Sequence, residues 1–115
     1  MNLKRRGGKP VQKPSDLKVE VIAVKGNCPV YREGDDFLIE EGFILRAEKH
    51  LCLHSLAVIL PYYAALSRGI SPVALGLARE GDAAYLQCPD PCEWTGGGTV
   101  VLRITASAYL SVSRL

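Results

Sequence analysis

Two apolar segments stand close together near the start of the chain, and the distance between them limits the fold. Residues 17–24, LKVEVIAV, alternate apolar and polar side chains and then turn apolar. Valine and isoleucine dominate, so the segment reads as a strand. Residues 37–42, FLIEEG, read as a second short strand ending at Gly42. The link KGNCPVYREGDD holds Gly26, Asn27, Pro29 and Gly34, which is turn chemistry. A parallel pair needs a crossover connection, usually an α-helix, and this link, broken by Gly26, Pro29 and Gly34, is too short to hold one. The two strands are therefore expected to pair antiparallel.

The next long apolar stretch is LCLHSLAVILPYYAAL, Leu51 to Leu66. It contains His54, Ser55 and Pro61 and is shorter than the ~20 residues that span a bilayer. A core helix over 48–68 is expected, with Leu53, Leu56, Ala57, Leu60, Ala64 and Leu66 on one broad face. Pro61 bends or splits it, because proline lacks the backbone donor. Ser71-Pro72 reads as an N-cap and first-turn proline opening a short helix through Arg79. Residues 83–88 and 99–105 read as a third and fourth strand, joined by the loop PDPCEWTGGG. The expected fold is α+β: a small, mostly antiparallel four-stranded sheet with one long, proline-kinked helix and one short helix on one face.

At 115 residues the chain fits one domain. Lys4, Arg5, Arg6, Lys9 and Lys13 fall within residues 1–14, which hold no acid. The other nine bases face 12 acids, so the remainder carries −3. We read residues 1–15 as a basic arm, 16–106 as the domain and 107–115 as a C-terminal extension. The acidic body speaks against a nucleic-acid footprint. The arm has no aromatic side chain for stacking a base, which leaves it only weak phosphate contacts. No apolar run follows the basic residues as a secretory signal requires. A cytoplasmic location is expected, where stable disulfides are rare.

The chemistry is concentrated in Cys28, Cys52, Cys88 and Cys92, with His50 and His54. In HLCLH the two histidines share a helix face while Cys52 points about 200° away. Cys28-Pro29 and Cys88-Pro89 each follow a strand, and they lie side by side if the strands at 17–24 and 83–88 are neighbours. Three readings fit the set. Thiolates of Cys28, Cys52, Cys88 and Cys92 hold zinc or an iron–sulfur cluster. The cysteines are small buried packing groups in a metal-free module that pairs with itself or another protein through sheet edges and the Trp94 loop. Cys88 and Cys92 form a redox pair. Elsewhere, TGGGT at 95–99 lacks the lysine of a phosphate loop. Glu33, Asp35 and Asp36 lack calcium-loop spacing. No catalytic residue is assigned, and the balance leans against an enzyme.

VIAVKGNCPVYREGDDFLIE, Cys52, LPYYAALSRG and CPDP, in that order, resemble a family of small prokaryotic conserved hypothetical proteins. Its pattern is G-x-C-P, then G-D/Q-x-F, a cysteine at the helix start, A-L-x-x-G, and C-P-D-P or C-T-D-G. The resemblance spans residues 17–106. It implies a compact α+β domain with three characteristic cysteines, at Cys28, Cys52 and Cys88, and implies no activity. The family usually has Cys-Pro-Trp at the helix start, where this chain has Cys52-Leu53-His54.

Overall fold

The computed structural model describes residues 13–107. Most of the basic arm and all but the first residue of the C-terminal extension lie outside the described residues. Five strands and two short helices follow one another: β1 (Leu17–Gly26), β2 (Asp36–Glu40), β3 (Ile44–Arg46), α1 (Leu53–Ile59), α2 (Tyr63–Ser67), β4 (Ala83–Gln87) and β5 (Gly98–Ala106). The sheet order is β3-β2-β1-β5-β4, and every pairing is antiparallel. The α+β class and the β1–β2 pairing agree with the sequence reading. The sheet has five strands rather than four.

Alternation in β1 sets the core. Leu17, Val19 and Val21 are buried. Opposite them lie Ile39 and Phe37 on β2, and Ala106, Ile104 and Leu102 on β5. The register shifts between Val21 and Ala23, so one extra residue sits in β1. Such a bulge reverses the side-chain parity beyond it. Val24, not Ala23, therefore packs on the core, opposite Val100. This is why the sequence loses its alternation after Val21. The other face of β1 is polar, with Lys18 bridging Glu20 and Asp36, and Glu20 paired with Arg103.

The expected long helix is two short ones. Residues 48–52 are not helical, and the helical turns break between Ile59 and Tyr63, around Pro61. Only part of the expected face survives this late start and break. Leu66 is buried and Leu56 packs on the core, as expected, but Leu53 and Leu60 are 75% and 63% exposed, and Ser55 is buried. The expected helix through Arg79 is a run of turns. Ser71 still caps it, its Oγ accepting the Val73 and Ala74 N–H groups at 3.1 and 3.4 Å.

β3 was not foreseen. It arises from a three-residue connection, Glu41 to Phe43, in which Glu41 and Gly42 have φ of 55° and 90°, and Phe43 N–H donates to the Glu40 carbonyl at 3.0 Å. Positive φ at both central positions is the requirement of a tight hairpin turn that matches strand twist.

Candidate functional site

Cys28 and Cys52 are joined through Tyr31. The chain leaves β1 at Gly26, turns at Cys28-Pro29, and the Tyr31 N–H donates to Cys28 Sγ at 3.3 Å. The Tyr31 ring is buried and its hydroxyl accepts the Cys52 N–H at 3.0 Å. Ser55 Oγ lies 2.7 Å from that hydroxyl and donates to the Cys52 carbonyl at 2.7 Å. With the serine proton committed, the tyrosine donates to Ser55. The bonds run from the Cys52 N–H through Tyr31 and Ser55 back to the Cys52 carbonyl, a closed ring around one residue. Cys52 is the N-cap of α1 in an extended conformation, and its side chain makes no capping bond. Tyr31 and Ser55 were missed in the sequence. Their only signal was a polar atom each within apolar surroundings, at YREG and HSLA.

Cys88 closes β4. It is buried, its N–H donates to Val100 at 2.9 Å, and its carbonyl accepts from Thr99 Oγ1 at 3.0 Å. Cys92 lies in the following loop, with φ of 32°. Its N–H donates to Asp90 Oδ1 at 2.9 Å, and its sulfur approaches the Lys25 carbonyl at 3.6 Å. A methyl at Gly26 would stand 2.4 Å from that sulfur, so Cys92 needs the glycine beside it. All four cysteines are free thiols.

The metal reading requires these thiols to meet, and the topology keeps two of them apart. β5 lies between β1 and β4, so Cys28 and Cys88 follow strands that are not neighbours. Two strand spacings amount to about 10 Å. His50 and His54 are exposed, and the helix begins only after Cys52, so HLCLH is half irregular and half helical. Among the described residues no three His, Cys, Asp or Glu side chains are placed to hold a metal ion. Residues 1–12 and 108–115 contain none of these four types.

The sheet edges differ in a way the sequence did not disclose. At β4 the Tyr85 N–H donates to the Leu77 carbonyl at 2.9 Å, so the chain itself takes up one donor of that edge, although the Tyr85 side chain is 44% exposed. At β3 all three residues are exposed, Ile44 at 39% and Leu45 at 46%, and Phe43 beside them at 73%. Leu45 pairs with Ile39 and so lies on the core side of the sheet, while Ile44 and Arg46 share the other face with Glu40 and Leu38. A bare edge strand is a template for another strand, and proteins commonly blunt it. Arg46 is the only charged residue of this one, and it is held by Glu40 at 2.8 Å.

The described residues form an antiparallel α+β domain with one sheet edge partly engaged by its own chain and, among these residues, one open, apolar edge. No protein-family model, curated protein or solved structure matches this chain. Among the described residues no helix is long and apolar enough to cross a membrane.

Proposed function

We propose that this domain is a protein-interaction module that accepts an extended segment of a partner protein as an added strand on β3. The supporting observation is the contrast between the two edges. One edge donor of β4 is taken up by the chain's own Leu77 carbonyl, whereas among the described residues β3 has no such partner and presents Phe43, Ile44 and Leu45 to solvent. In strand addition, main-chain bonds supply affinity and side-chain contacts supply selectivity. The incoming segment meets Leu45 on one face and Ile44 on the other, so it carries apolar side chains at alternate positions on both faces. The cysteines then serve packing and loop geometry: Cys88 in the core, Cys28 accepting a backbone N–H, Cys92 seated on Gly26.

The test is photo-crosslinking in the cells that make the protein, from positions 43 and 45, with position 85 on the opposite edge as control. A captured protein is identified, purified and titrated against the intact chain. Leu45→Pro, which removes one edge donor, weakens that binding at least tenfold, because a lost main-chain bond and a bent edge act together. Equal capture from position 85, or unchanged affinity of Leu45→Pro, rejects the reading.

A further inference from the structure

The described chain leaves the sheet close to the turn that opens β3. Ala106 of β5 stands opposite Leu17, Leu17 opposite Ile39, and Ile39 opposite Leu45, so one row crosses the sheet from β5 to β3. One residue further on, the Ser107 N–H donates to the Asp16 carbonyl at 2.7 Å, and Asp16 Oδ1 accepts the Glu41 N–H at 2.9 Å. Ser107 is therefore two bonded steps from the β2–β3 turn.

Beyond Ser107 the sequence reads AYLSVSRL. Leu110 and Val112 alternate with Ser111 and Ser113, and Tyr109 precedes them. In strand register Leu110 and Val112 suit the face of Leu45, and Tyr109 suits the face of Ile44. The charges flanking β3 select a basic segment. Arg46 is held by Glu40 and Lys49 by Asp35, whereas the exposed Glu41 before β3 and Glu48 after it have no cation partner among the described residues. Arg114 follows the alternating stretch directly, so it comes near one of these acids whichever way the stretch runs along the three residues of β3. The N-terminal arm is basic too, but Gly7, Gly8 and Pro10 interrupt it, which disfavours a strand.

A copy cannot offer this stretch to its own edge. A strand added to β3 lies four strand spacings from β5, roughly 19 Å, which takes about six extended residues to cross. The crossing would use up residues 108–113, the alternating stretch itself. We infer that residues 109–114 of a second copy add to β3, and that two copies exchange these segments about a two-fold axis. Exit and acceptor lie at the same end of the sheet, since Ser107 bonds to Asp16 and Ile44 stands opposite Glu40. An axis between Ser107 and Ile44 brings the exit of each copy to β3 of the other, and the pair closes. This inference rests on the strand-addition reading of β3 and gives its partner.

Sedimentation of the full chain under reducing conditions, from about 5 to 500 μM, tests it. The wild type passes from monomer to dimer, and Val112→Asp and Leu45→Pro each weaken association at least about tenfold. Arg114→Glu weakens it too, and Glu41→Lys or Glu48→Lys restores it. A photo-crosslinker at position 45 of isotope-labelled chain, mixed with unlabelled chain, joins labelled to unlabelled copies at residues 109–114. A wild-type monomer throughout, rescue by neither lysine variant, or crosslinks confined within single copies or made to residues 1–12 overturns the inference. Association that Leu45→Pro abolishes and Val112→Asp leaves unchanged overturns it while the β3 reading stands. Association indifferent to both overturns it and places the contact away from β3.

Discussion

Replacing Tyr31 by phenylalanine removes one oxygen and leaves the ring in place. That isolates the hydrogen-bond ring from core packing. The hydroxyl accepts the Cys52 N–H at 3.0 Å and donates to Ser55 Oγ at 2.7 Å. Two bonds at about 0.5–1.5 kcal/mol each are lost, and the Cys52 N–H, in a partly buried place, is left without its acceptor. The expected cost is about 2–3 kcal/mol, a fall in Tm of roughly 10–20 °C for a domain of this size. Ser55→Ala costs less, about 1 kcal/mol, because the Cys52 carbonyl keeps the Leu56 N–H at 3.2 Å. The double variant costs about 1 kcal/mol less than the sum of the two, since either change opens the same ring. The assay is urea unfolding followed by far-ultraviolet circular dichroism, because Trp94, 89% exposed, reports folding poorly. Among the described residues every buried side-chain nitrogen or oxygen has a partner. If Tyr31→Phe lies within about 0.5 kcal/mol of wild type, or the two changes add, the ring does not hold the loop to α1.

Gly98→Ala places a methyl 2.4 Å from the Cys28 nitrogen and 2.6 Å from the Asn27 carbonyl carbon, both backbone atoms that cannot swing aside. Thermal unfolding should show a loss of about 3 kcal/mol or no folded protein at all. The Lys49 ammonium, 2.6 Å from Asp35, together with the Arg32 N–H, holds the Asp35 carboxyl below its ordinary value. Its contribution to stability is present above the unfolded value, near pH 4, and is lost as pH falls through the lower folded one. A carboxyl NMR titration should show a depressed midpoint that rises in Lys49→Met. Purified without oxygen, the protein should carry no stoichiometric zinc or iron, and buried Cys88 should react with a thiol reagent more slowly than Cys28, Cys52 or Cys92. A full equivalent of either metal would instead support the four-cysteine reading.

Burial periodicity announced the elements that have a buried side. Leu17, Val19 and Val21 alternate because one face of β1 meets the core, and Val100, Leu102 and Ile104 do the same on β5. β3 left no such trace, because every residue in it is exposed and its place depends on two positive φ angles at Glu41 and Gly42. The break at Pro61 was legible, since a missing donor is a property of the residue itself. Its effect on which face is buried was not, because the phase of α2 depends on how the chain turns between Ile59 and Tyr63. The four cysteines were visible as a set, but their separation depends on β5 threading between β1 and β4. Chain order gives no warning of that, since β5 is the last strand made. The Tyr31–Ser55 link was hidden for a similar reason: it joins residues 24 apart whose spacing carries no motif.

The Leu77 carbonyl on Tyr85 has a consequence for how copies of this sheet can accumulate. A ribbon that grows without limit needs two free borders, one to give and one to receive. Here the chain's own turn takes up one donor of one border, which hinders growth on that side. Contact between two β3 borders uses both at once and leaves only the hindered sides to extend, which favours finite complexes over endless fibres.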